Sequence, residues 1–189
     1  MNTIRSLSTI LLIAIFISCS DKGTNEVNYS GKFIIDNTSY KLSHGLIEYA
    51  GPSGKGYLFG IVLGSEGIHF VDGSVEGIGD ILYLHIFSSS ESELSSLSYS
   101  LDETDSGLPG SYWGYSFTNR NFNTGSIGAH YFITSGTLNF SAQSHTSFEI
   151  TGTCKQIENN TVKKDGISFK LVYSGNLEVN LQEKTIREI

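Results

Sequence analysis

The residues of this 189-residue chain with types suited to chemistry are two cysteines, five histidines, a scatter of acidic side chains and one tight cluster of rings. Cys19 stands directly behind the apolar run Leu7 to Ile17 (LSTILLIAIFI), whereas Cys154 lies in an alternating stretch, Ser147 to Ile157. A disulfide between them would leave the apolar run unexplained, so the two thiols are read separately. Cys19 is a candidate for modification. Cys154 shares strand parity with Phe148, Ile150 and Gly152, which predicts an inward thiol with little reactivity.

His44, His69, His85, His130 and His145 never occur as His-x-x-x-His, and no Gly-x-Ser-x-Gly elbow is present, so zinc-protease and serine-hydrolase chemistry have no local support. A glycosidase carboxylate pair meets across strands and leaves no local signature. The chain is therefore read as a non-enzyme, with an envelope hydrolase as the minor alternative. Asp102, Glu103 and Asp105 in LDETDSG, and Asp72, Glu76 and Asp80 in VDGSVEGIGD, are clustered oxygen donors near glycine that would suit calcium. Neither run has EF-hand spacing or β-roll repetition, and solvated acidic loops are the simpler reading. In SYWGYSF, Trp113, Tyr115 and Phe117 share one strand face, which core packing explains. Exposure of Tyr112 on the opposite face, together with Tyr99, is the alternative, and core packing is favoured over it. Tyr99, Tyr112 and Trp113 are thus the candidate sugar-stacking residues.

These residues must be positioned by strands. Lys32 to Ile35 meets an Asp36-Asn37 turn, Tyr57 to Leu63 follows a glycine-rich loop, and Tyr112 to Phe117, Tyr131 to Ala142, Ser147 to Ile157 and Ile167 to Val179 read as further strands. Gln143 to Thr146 and Lys164-Asp165-Gly166 read as turns. In Asp80 to Phe87, Leu82, Leu84 and Ile86 take one face and Ile81, Tyr83, His85 and Phe87 the other, the pattern of a central strand covered on both sides. His85 is expected there as a hydrogen-bonded structural histidine. The single helix signal is the Ser-x-x-Glu pattern at Ser90. With 21 glycines and regular turn spacing, the expected fold is an all-β antiparallel sandwich of jelly-roll type, with a partly open barrel as the alternative.

Phe16-Ile17-Ser18-Cys19, behind an apolar run too short for the ~20 residues of a spanning helix, resembles the bacterial lipoprotein signal. The resemblance implies cleavage before Cys19, acylation of its thiol and retention in a membrane; three acyl chains on one residue hold far more firmly than one. Ser20 after the cysteine is similar to the pattern of outer-membrane lipoproteins. Asp21 and Glu26, interrupted by Lys22, partly resemble an acidic surface-export tag, so a surface-facing and a periplasm-facing placement both stay open. Ile133 to Glu178 and the LPGSYWGYSF stretch, Leu108 to Phe117, resemble strands of small Bacteroidota surface lipoproteins, a likeness that implies fold and location but no catalytic residues.

The expected organisation is a signal over residues 1–18, a polar tether over 19–30 and one β-domain over 31–189. Removing the signal leaves 189 − 18 = 171 residues, enough to bury roughly 70% of the unfolded surface. The formal charge of −7 falls to −7 − 1 = −8 with the loss of Arg5, an acidity that argues against nucleic acid as a partner. Two functions fit: a lipid-anchored binding or accessory module, with glycans as the candidate ligand, or a structural or adhesive surface component without a small-molecule ligand.

Overall fold

The computed structural model describes residues 30–71, 74–95, 97–104, 106–141 and 146–180. Cys19, the expected signal and residues 19–29 of the expected tether, together with Asp72, Asp105 and the Gln143 to His145 part of one expected turn, lie outside the described residues; Ser30, expected to end the tether, opens the first strand. The chain is all-β. Its strands are β1 (Ser30–Ile35), β2 (Thr38–Leu42), β3 (His44–Ser53), β4 (Gly56–Gly64), β5 (Ile68–Val71), β6 (Ser74–Ser88), β7 (Ser98–Leu101), β8 (Ser111–Asn121), β9 (Ala129–Ile133), β10 (Thr137–Ser141), β11 (Thr146–Glu158), β12 (Thr161–Gly175) and β13 (Glu178–Asn180).

Hydrogen-bonded neighbours run β13-β3-β4-β6-β8-β7-β10-β11-β12-β1-β2; β9 pairs with both β8 and β11, and β5 with β6. β2 and β3 lie near opposite ends of this order yet are joined through Ser43 alone, so the sheet folds back on itself into two facing layers. The order has two ends rather than closing, so the fold is not a closed barrel and is consistent with the expected sandwich. Most pairings are antiparallel, as expected, but β13 with β3 and β7 with β8 are parallel, which makes the sheet mixed.

Alternation builds the core between the layers. Phe59, Ile61 and Leu63 on β4, Leu82, Leu84 and Ile86 on β6, Phe148, Ile150 and Cys154 on β11, and Ile167, Phe169, Leu171 and Tyr173 on β12 all point inward. A second cluster of Leu46, Val62, Ile68 and Ile81 lies apart, with Phe70 and Val75 of the β5–β6 hairpin packed against it.

Three local expectations are corrected. Asp36 and Asn37 form the predicted tight turn with φ of 49° and 68°, but the turn between β11 and β12 is made by Asn159 and Asn160 at 51° and 60°. Lys164-Asp165-Gly166 instead sits inside β12: Cys154 pairs with Ile167 and Gln156 with Lys164, so Asp165 and Gly166 form a bulge, with Gly166 at φ 64°. The expected strand from Tyr131 to Ala142 is two strands, β9 and β10, broken by a jog at Thr134–Gly136. Among the described residues there is no helix at Ser90. The Ser88 hydroxyl donates to Glu93 O (3.0 Å) and accepts from Ser90 N (3.0 Å), so serine side chains bond the backbone that a helix would need.

Cys154 is fully buried and its thiol is free. Burial, then the Asp165 and Asp36 carboxylates, push its pKa up to about 11. The folded protein should therefore resist thiol reagents until denatured, and Cys154→Ser should cost about 1–3 kcal/mol by placing a hydroxyl in an apolar site. Urea titration measures the loss; rapid labelling of the native protein would contradict the inward register.

Candidate functional site

The parity of SYWGYSF is as the alternation predicts, but its two faces are exchanged relative to expectation. Tyr112 is fully buried and Tyr99 is 1% exposed, so neither stands on the surface. Both belong to the core cluster between the layers, and their hydroxyls are satisfied there: Tyr99 donates to Ser95 O at 3.0 Å and Tyr112 to Gly136 O at 3.2 Å. On the same inward face of β8 stand Gly114, Ser116 and Thr118, all buried, and at Gly114 side chains of the adjoining strands β6 and β9 close over the backbone. A Cβ on Gly114 would meet Leu84 Cδ2 at 2.8 Å and Ile133 Cδ1 at 3.1 Å. Trp113, Tyr115 and Phe117 are thereby turned outward, where they remain partly exposed.

Cross-strand register then assembles a larger surface from them. Tyr83 pairs with Tyr115 and His85 with Trp113 across β6 and β8, while Tyr115 pairs with Phe132 and Phe117 with His130 across β8 and β9. Directly opposed residues on one face lie close enough for rings to touch. Tyr83 stacks on Tyr115 with centroids 4.8 Å apart, His85 on Trp113 at 4.0 Å, Trp113 on Tyr115 at 5.4 Å and His130 on Phe117 at 4.3 Å, each at 28° or less between planes. The Arg120 guanidinium lies 5.2 Å from the Phe117 ring and 5.3 Å from the Phe122 ring, which caps that end of the array.

The face is close to neutral. Burial pushes Tyr83 up to about 12 and also raises Tyr115, while burial and then Arg120 lower His130. All three are uncharged at pH 7. Trp113 Nε1, Arg120 Nε and His130 Nε2 are buried there without a hydrogen-bond partner among the described residues. Besides Arg120, fixed charge appears at the other end, where Lys155 Nζ lies 3.8 Å from Glu103 Oε2. These two side chains, with Trp113, Gly114, Phe132 and Ile133, line a recess of about 200 Å³. At that distance the pair is loose, so carboxylate and ammonium both retain capacity for further hydrogen bonds.

The structure thus brings Trp113 and Glu103 together from two separate sequence predictions, and removes Tyr99 and Tyr112. Asp102 is engaged by its own loop. Its carboxylate accepts from Thr104 N (3.0 Å), Thr104 Oγ1 (2.6 Å), Ser106 N (2.9 Å) and Ser106 Oγ, so both oxygens are spent on its own loop. Asp80 Oδ1 accepts from Asn119 N at 2.9 Å. Among the described residues, no three His, Cys, Asp or Glu side chains converge as a metal site would need.

The Ser106 and Thr104 hydroxyls, aided by the two amides, hold the Asp102 pKa at about 2. A carboxyl with a depressed folded-state pKa stabilises above its unfolded value of ~3.9 and loses that contribution as pH falls toward 2. Asp102→Ala should lower the melting temperature at pH 7, and the difference from the parent should shrink as pH falls through about 2; a difference that stays constant across that range would show the hydrogen bonds to be idle.

Sequence reasoning missed Tyr83, His85, Tyr115, His130 and Phe132 as members of one surface. The available signal was the recurrence of rings two apart in three segments: Tyr83 and His85, Trp113 to Phe117, and His130 and Phe132. Compared with protein-family models, with curated proteins and with solved structures, the chain matches none.

Proposed function

We propose that this chain is a cell-envelope lipoprotein, held at the outer membrane through lipid on Cys19, that binds glycans on the outer aromatic face of β6, β8 and β9. The observation that carries the glycan reading is the register-built array around Trp113, with its rings near parallel at 4.0–5.4 Å along His85, Trp113, Tyr115 and Tyr83. The partly exposed aromatic surface between Arg120 and the Glu103–Lys155 pair matches the apolar C–H face of a sugar ring. The Glu103–Lys155 pair at its border supplies an acceptor and a donor for sugar hydroxyls, the few polar groups that fix orientation in a mostly apolar site. The anchoring half rests on the Phe16 to Cys19 pattern.

A second reading, a structural or adhesive face without a small ligand, is favoured by Arg120, which covers Phe117 and Phe122 and leaves that end of the array satisfied by its own side chains. A glycan-array screen of the full chain separates the two. Selective binding to one glycan class is expected, and uniform background would leave the structural reading. Anchoring is tested alongside it: Cys19→Ala should abolish labelling by a clickable palmitate analogue, and labelling that persists would remove the lipid from the proposal.

A further inference from the structure

Lys32 and Lys41 are direct cross-strand partners in the β1–β2 hairpin, and both are exposed. Like charges placed opposite one another on a sheet are destabilising. Lys155, Lys163, Lys164 and Lys170 each have an acidic partner in the structure, but among the described residues neither Lys32 nor Lys41 does. The two flank a groove of about 430 Å³ lined by Ser30, Gly31, Lys32, Ser39, Lys41 and Val172, with no acidic side chain in the lining. In a chain of formal charge −7 this is a local patch of the opposite sign. Two ammonium groups with the Ser30 and Ser39 hydroxyls beside them make a donor set suited to a phosphate: the anion would turn the lysine repulsion into two attractions.

The position of the groove selects the source of that phosphate. Lys32 and Lys41 lie at the end of the hairpin where the chain enters β1, away from the Asp36-Asn37 turn. Lys32 is 32 − 19 = 13 positions from Cys19, a span of at most ~45 Å even if fully extended. We infer that the Lys32–Lys41 groove docks on the phosphate headgroups of anionic lipids in the membrane to which the chain is anchored, setting the domain's orientation on that surface. This rests on the anchoring proposed above. Two lysines near an anionic surface supply about 30-fold in partitioning at low salt, a weak contact that becomes effective when an anchor already holds the domain at the surface.

The test uses the full chain reconstituted into vesicles of phosphatidylcholine, with and without phosphatidylglycerol, followed by lysine acylation and mass spectrometry. Lys32 and Lys41 should react about 10-fold more slowly on the anionic vesicles, exposed Lys55 should be unchanged, and high salt should erase the protection. Equal reactivity on both vesicles overturns the inference. Protection by inorganic phosphate alone, on neutral vesicles, would assign the groove to a free anion and likewise overturn the membrane contact. Failure of the chain to stay with neutral vesicles would count against the anchor only. In that case flotation on anionic vesicles decides: the parent should partition about 30-fold better than the Lys32→Gln, Lys41→Gln double variant, and equal partitioning overturns the docking surface.

Discussion

Replacing Gly152 by alanine should cost about 3 kcal/mol or more, a large part of the ~5–15 kcal/mol that holds a domain folded. Gly152 has the inward parity of Phe148, Ile150 and Cys154, yet no side chain fills its place. The jog between β9 and β10 does so instead: a Cβ on Gly152 would fall far inside contact with Ser135 O, and would lie 2.6 Å from Ser135 C and 3.0 Å from Gly136 Cα. These are backbone atoms, which cannot step aside by changing a rotamer. Moving them would disturb the bonds that seat the jog, Thr134 N to Thr153 O at 2.8 Å, Thr153 N to Ser135 Oγ at 2.9 Å and Tyr112 OH to Gly136 O at 3.2 Å. Urea unfolding measures the effect. A midpoint that does not move would mean the jog does not dip into the sandwich.

Trp113→Ala should weaken binding of the glycan selected in the array screen by about 30-fold, the loss of ~2 kcal/mol typical when a central aromatic anchor is truncated. Trp113 touches both halves of the site, stacking on His85 at 4.0 Å and lining the Glu103–Lys155 recess. Trp113→Phe keeps a ring in place and should recover part of the affinity. Tyr112→Phe is the informative contrast: it removes the bond to Gly136 O and should cost about 1 kcal/mol of stability while leaving binding as it was. Calorimetric titration of the three variants reads all of this. Unaltered affinity in Trp113→Ala would detach the aromatic face from glycan binding, and loss of affinity in Tyr112→Phe at unchanged stability would restore the opposite face as the site.

The exchange of faces on β8 marks where sequence reading stops. Strand periodicity is a local property, so the all-β class, the Asp36-Asn37 turn, the shared parity of Trp113, Tyr115 and Phe117 and the inward thiol of Cys154 were all legible from residue order and type. Parity tells which side chains travel together and says nothing of which set meets the other layer. On β8 the space over Gly114 is taken by Leu84 of β6 and Ile133 of β9, neighbours in the sheet that come from distant parts of the chain. The same limit hid the jog, because the room at Gly152 is filled by a main chain rather than by any residue type. It also hid the aromatic array: four of its rings come from β6 and β9 and three lay on the β8 face expected to be covered, and only the pairing registers bring them together. Sequence alone determined the all-β class and the two-fold alternation along its strands; tertiary packing decided several strand limits and which face is wet, because those are set by the shapes of both layers at once.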